Sequence, residues 1–182
     1  MSAIIRPWVW VLTACMAIAP AIVRAGEPDR PKIGAELPNL RFKDIRYLQR
    51  SLTDLGESKL TVLVFTNTTC PLVQKYWPKL KRLDETYRTK GVQFVSINVS
   101  TDDEISEIAQ QAIDYGVEFP FVKDIDGSCA TATGVQRTPE VVILDAKRLL
   151  RYRGRIDDQY RPGGARPDVG SDDLKLAIDE LL

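Results

Sequence analysis

The run Leu60 to Thr66, Leu-Thr-Val-Leu-Val-Phe-Thr, shows none of the apolar–polar alternation of a half-exposed strand. Such a strand is buried on both faces, so the rest of the chain must cover it above and below. Val92 to Asn98 is the next strand of this buried kind, and between the two Leu72, Val73, Tyr76, Leu80, Leu83 and Tyr87 recur at helical spacing up to Gly91. With 182 residues, 44% of them hydrophobic, the chain is long enough for one globular domain with a substantial core.

Cys70 stands where that first strand gives way to the helix and is followed at once by Pro71. Pro71 suits the first helical position, where no N–H is needed, and Pro78 falls inside the pattern, where a kink is predicted. A cysteine that caps a helix faces the first-turn N–H groups and the positive end of the helix dipole, and both favour the thiolate. Cys70 is therefore a candidate nucleophile. The competing reading is a small buried residue, since free cysteines are among the most buried side chains.

Downstream, Thr101-Asp-Asp-Glu104 reads as a capping box, with Ile105, Ile108, Ala109 and Ala112 on the apolar face of a helix that stops at Gly116. Phe119-Pro-Phe-Val122 predicts a short strand and Ser128 to Thr133 a short helix. Val141 to Leu144 and Leu149 to Arg153 read as a hairpin, Gln159 to Gly170 as a surface loop, and Ser171 as the cap of a last helix. Trp77 lies off the apolar stripe and near Cys70, placed either to cover the thiol or simply to pack.

Composition excludes several chemistries. Histidine is absent, which removes His metal sites, haem attachment and any Cys–His or Ser–His pair. Lys and Arg balance Asp and Glu at 25 each, and no basic run exists, so nucleic acid is not an expected partner. No metal or other cofactor is expected. Arg6 precedes the almost wholly apolar Trp8 to Val23, and Val23-Arg24-Ala25 offers a small-residue cleavage site. Residues 1–25 thus read as an export signal, 26–32 as a flexible leader and 33–182 as the domain, with a periplasmic or extracellular destination. Membrane contact is expected only if the apolar segment is retained or if Cys15, in the lipoprotein-like Leu12-Thr-Ala-Cys15, is acylated.

Taken in order, the strand, Cys70, Pro78 and the later Thr138-Pro139 leading into Val141-Val-Ile-Leu144 resemble a thioredoxin-like α/β fold. Ile33-Gly-Ala-Glu-Leu-Pro38 followed by Ser51-Leu-Thr-Asp-Leu55 resembles the lead-in of the redoxin branch, the alkyl hydroperoxide reductase and thiol-specific antioxidant family. The likeness runs from about Ile33 to the C-terminus. It implies three layers, a mixed central sheet flanked by helices, with the helix-plus-strand insertion that redoxins have and thioredoxin lacks. It also implies a cis Pro139 that brings the Thr138 backbone beside Cys70, ready to pair with an extended peptide. Arg151-Tyr-Arg-Gly-Arg-Ile-Asp-Asp158 resembles the ending of bacterial redoxin-domain proteins, its charges reading as protection of a hairpin edge against aggregation.

The sequence departs from both parent patterns. A thioredoxin carries a resolving cysteine three residues after the nucleophile, and that position is Val73. A peroxiredoxin has Thr or Ser three residues before its cysteine, Pro seven before, and an activating Arg; here those positions are Asn67, Leu63 and Pro139. Asn67, Thr68 and Thr69 are candidate hydrogen-bond donors to a thiolate, and Arg137 is either a steering charge or a solvated turn residue. Two readings stay open for Cys129, a resolving partner of Cys70 or a small core residue. The expected function is an exported thiol oxidoreductase in which Cys70 attacks a disulfide or a peroxide, with an external thiol reductant or a disulfide-bearing protein as partner. The alternative is a thioredoxin-fold binding module that uses the Thr138-Pro139 groove without turnover.

Overall fold

A computed structural model describes residues 30–161 and 164–182. The expected export signal, Cys15 and the first part of the expected leader lie outside the described residues. β3 (Leu60–Thr66) and β4 (Val92–Asn98) form the centre, paired in parallel from Leu60↔Val92 to Thr66↔Asn98. β5 (Phe121–Lys123) extends the sheet in parallel beyond β4, and β6 (Glu140–Asp145) runs antiparallel on the other side of β3. β7 (Leu150–Gly154) closes that edge. The opposite edge is a hairpin of β1 (Arg41–Asp44) and β2 (Gln49–Ser51), giving the order β2-β1-β5-β4-β3-β6-β7. A separate two-stranded pair, β8 (Tyr160–Arg161) with β9 (Gly164–Ala165), occupies the stretch expected to be loop.

Alternate residues of β3 point into two cores, as a doubly buried strand requires. Val62 and Val64 pack with α1 (Pro71–Tyr87), α2 (Ile105–Tyr115) and α4 (Asp173–Leu181) through Val73, Leu80, Ile108, Leu174 and Ile178. Leu63 and Phe65 face Leu37, Leu40, Leu52 and Cys129 of the short helix α3 (Ser128–Thr133). The three layers are therefore helices, mixed sheet, and a thinner layer built from α3 and the segment before β3. β5 and α3, both between α2 and the Thr138–Pro139 turn, are the inserted strand and helix.

Several local expectations are corrected. Trp77 is fully buried, its ring centre 5.0 Å from that of Phe121 and 6.3 Å from those of Phe119 and Tyr115. The Phe119–Phe121 segment widens the covered arc of α1 on that side, while Leu72, expected on the stripe, is exposed. α2 begins at Ile105 with Glu104 as cap, and the Glu107 carboxylate accepts the Glu104 N–H at 2.8 Å, so the capping box sits one turn's worth of sequence later than Thr101. The reason is Asp103, which is drawn inward to other donors. α2 ends as expected at Gly116, whose φ of 57° is the left-handed conformation that glycine takes without a Cβ clash. α4 begins two residues after Ser171, with Asp172 at the cap. The β1–β2 hairpin was not foreseen: only Phe42 of its residues is buried, so no apolar pattern announces it.

The charges of Arg151 to Asp158 are not simply an edge guard. The buried Asp157 carboxylate accepts from the Tyr76 hydroxyl and from Lys79 Nζ at 2.6 Å, tying the segment after β7 to α1. Burial, reinforced by Asp157, pushes the Tyr76 hydroxyl pKa well above its ordinary value. Arg30 and Pro31, within the expected flexible leader, are also tied down: Arg30 Nε donates to Gly134 O at 2.7 Å and Arg153 Nη1 donates to Pro31 O at 2.9 Å.

Leu63 has no exposed surface and lies at the middle of the best-paired strand. Leu63→Ala removes buried methyl groups from a site held rigid on both sides, and should cost about 2–5 kcal/mol. Urea unfolding at constant m-value measures it.

Candidate functional site

β3 ends at Thr66, and four residues turn the chain into α1. Asn67 makes that turn compact by accepting the Cys70 N–H on its side-chain oxygen at 2.7 Å. Cys70 is the N-cap of α1, with extended backbone angles, and Pro71 opens the helix. The thiol is partly exposed and donates to the carbonyl oxygen of Thr138 at 3.6 Å. The Thr138–Pro139 bond is cis. Cys70, Thr138 and Pro139, expected together from sequence, are thus brought together by the end of β3 and the start of β6.

Asn67 and Thr68 also hold the turn itself. Asn67 spends its amide oxygen on the Cys70 backbone. The Thr68 N–H donates to Asp103 Oδ2 at 2.6 Å, and the Thr68 carbonyl accepts from Gln74 Nε2 at 3.0 Å and Gln111 Nε2 at 3.1 Å. Thr69 and Arg137 are exposed, and among the described residues neither side chain makes a hydrogen bond or ion pair. Leu72, in the first turn of α1, is exposed.

Sequence reasoning missed the polar groups behind these turns. Asp103, 5% exposed, also accepts from Asn98 Nδ2 at 2.6 Å, and Lys123 Nζ donates to Ser100 O at 3.0 Å and to the Asp103 carbonyl. Burial acts to raise the Asp103 pKa, but the hydrogen bonds from Asn98 and Thr68 outweigh it and leave the group below its ordinary value. Glu140, 4% exposed, accepts the Gln136 N–H at 2.8 Å and pairs with Arg30 at 3.6 Å. The available signal was polarity out of place: Asn98 ends β4 and Glu140 opens β6, and each is a polar residue beside an apolar one in a largely buried strand.

Cys129 is not brought to this site. Cys70 packs against the core on the α1 face, whereas Cys129 is buried in the core on the other face of the sheet, where its thiol donates to Arg41 O at 3.2 Å. Both thiols are free. Burial first, then the nearby Asp124, pushes the Cys129 pKa well above the ordinary range. Among the described residues no group of acidic or thiol side chains has the arrangement of a metal site.

A family model described as Redoxin matches residues 32–169. A thiol-disulfide oxidoreductase ResA of Bacillus thuringiensis (strain Al Hakam) is 28% identical over 120 residues, covering 65% of this chain and 67% of that protein. Among solved structures, a hypothetical protein from Sinorhizobium meliloti 1021 aligns with a TM-score of 0.75 at 26% identity, covering 84% of this chain and 85% of the other. A putative thiol:disulfide interchange protein DsbE from Chlorobium tepidum shares the fold, with a TM-score of 0.66 at 19% identity over 82% of this chain and 97% of its own.

The two thiols should behave oppositely. In the folded protein at neutral pH, iodoacetamide should label Cys70 and leave Cys129 unmodified, while in urea both should react; intact mass reads the count. A thiol that stays protonated when folded but ionises when unfolded stabilises fully below the unfolded value, and the stabilisation is lost as pH rises above it. Stability should therefore decline above about pH 8.5, by up to about 1.4 kcal/mol per pH unit, and Cys129→Ala should flatten that decline between about pH 8.5 and 9.5 in urea titrations.

Proposed function

The chain belongs to the redoxin family, and from that premise we propose that it is a thiol-disulfide oxidoreductase whose attacking thiol is Cys70. The observation that carries the reading is the partly exposed Cys70 thiol at the start of α1, 3.6 Å from the Thr138 carbonyl of the turn facing it. The ResA relatives, named as thiol-disulfide oxidoreductases, support the same class.

In the proposed step the Cys70 thiolate attacks one sulfur of a partner disulfide. The partner S–S bond breaks, a mixed disulfide forms with Cys70, and the second partner sulfur leaves as a thiolate that takes up a proton. The Thr138 backbone offers pairing groups to the chain that carries the disulfide. Val73, fully buried, stands where a resolving cysteine would be, so an external thiol must attack the mixed disulfide and release Cys70. We further propose that residues 1–25 direct export and that the domain works in an oxidising compartment, where partner disulfides persist. Arg6, the apolar Trp8 to Val23 and the Ala25 cleavage site support this.

Peroxide is the less suited substrate. Peroxide reduction needs donors for the charge that develops on oxygen, and where peroxiredoxins hold their activating Arg this chain has Pro139, which has no side-chain donor. Loss of one such donor typically costs about a hundredfold to a thousandfold in rate.

Cys70→Ser should abolish exchange with a disulfide-bearing peptide in the presence of an external dithiol, whereas Cys129→Ala should retain it. A Cys70→Ser variant with full activity would overturn the reading. In stopped-flow oxidation by hydrogen peroxide, the reduced wild-type protein should react at least about a hundredfold more slowly than a peroxiredoxin run beside it. An equal rate would restore the peroxidase function.

A further inference from the structure

The Cys70 thiol and the Thr138 carbonyl belong to two turns from distant parts of the chain, brought together by β3 and β6 but themselves outside helix and strand. Each turn gives one backbone N–H to a buried carboxylate. On the cysteine side the Thr68 N–H meets Asp103 Oδ2 at 2.6 Å, and the same oxygen accepts Asn98 Nδ2 from the end of β4 at 2.6 Å. On the proline side the Gln136 N–H meets Glu140 Oε2 at 2.8 Å, and Oε1 lies 3.6 Å from Arg30 Nη2. Hydrogen bonds from N–H to an ionised carboxylate are the strong kind, and a buried carboxylate stripped of donors is costly, so each acid binds its turn firmly. Asp103 is further held through its own carbonyl by the buried Lys123 ammonium, and Glu140 by its place at the start of β6 opposite Phe65.

We propose that Asp103 and Glu140 are paired positioning residues, each clamping one of the two turns that face each other across the thiol and together fixing the gap that an incoming disulfide must enter. The proposal rests on the thiol-disulfide reading above. Neither carboxylate is hydrogen-bonded to the Cys70 thiol, and their effect passes through the Thr68 and Gln136 amides. Attack on a disulfide requires in-line approach against the Thr138 wall, whereas alkylation by a small reagent needs only an accessible thiolate, so the clamps govern the first reaction far more than the second.

The test compares Asp103→Ala and Glu140→Ala with wild type, measuring single-turnover exchange with a disulfide-bearing peptide, iodoacetamide alkylation, and amide hydrogen exchange. Each variant should lose about tenfold or more in peptide exchange while alkylation changes by less than about twofold. Asp103→Asn and Glu140→Gln, which keep an acceptor oxygen, should recover most of the exchange rate. Thr68 should lose amide protection in Asp103→Ala and keep it in Asp103→Asn, and Gln136 should lose it in Glu140→Ala and keep it in Glu140→Gln. Unchanged peptide exchange, or exchange and alkylation falling in parallel, would overturn the proposal. Should the alanine variants fail to fold, Asp103→Leu and Glu140→Met, which fill the space without an acceptor oxygen, take their place, and unchanged protection of Thr68 and Gln136 in them would overturn it instead. A wild-type protein that does not exchange with the peptide at all would sink the functional reading, and the amide-protection measurement would still decide whether the clamps exist.

Discussion

The position of β3 between β4 and β6 is the constraint on which the site depends. β3 is hydrogen-bonded along its length on both sides and buried on both faces, so its last residue, Thr66, has no freedom to shift. The antiparallel neighbour β6 begins where β3 ends, with Glu140 opposite Phe65. The residues just after β3 and just before β6 are therefore forced to meet, and these are the Asn67–Cys70 turn and the Thr138–Pro139 turn. The thiol stands against the Thr138 carbonyl because two strands share a register.

Around that frame the sheet separates two environments for the two cysteines. Cys70 lies at a helix start on the α1 face with its thiol partly open to solvent, whereas Cys129 is enclosed on the other face among apolar side chains. Accessibility follows from this separation: Cys70 is open to a partner, and burial penalises a thiolate at Cys129. An intramolecular pairing of the two would have to cross the sheet, which leaves the resolution of any mixed disulfide to a thiol from outside.

The strands β3, β4 and β6 and the helices α1 and α2 were legible in the sequence from apolar periodicity and from glycine and proline punctuation. The three layers and the inserted strand and helix were expected from the resemblance to the redoxin family, whereas the strand order came from the structure. Cys70 was legible because a cysteine is unusual at a strand-to-helix junction, whereas Thr138 and Pro139 were expected at the site through the resemblance to the redoxin family. The β1–β2 hairpin was hidden because its short strands bury one side chain, Phe42. Trp77 was misplaced because a stripe drawn on α1 alone ignores the aromatic wall that Phe119 and Phe121 add from elsewhere in the chain. Asp103 illustrates a third kind of miss: by local pattern it belongs to a helix cap, and the bonds that turn it inward come from Asn98 and Thr68, which only the tertiary structure brings near.

The central claim is that Cys70 alone carries the exchange chemistry, and trapping the covalent intermediate tests it most directly. The reduced wild-type protein would be mixed with a disulfide-bearing peptide in the absence of any other thiol, quenched in acid, and mapped by tandem mass spectrometry. The account predicts a single peptide adduct, in disulfide linkage to Cys70, with Cys129 still a free thiol. A bridge between Cys70 and Cys129 accompanied by release of both peptide thiols, or an adduct on Cys129 with Cys70 unmodified, would contradict it.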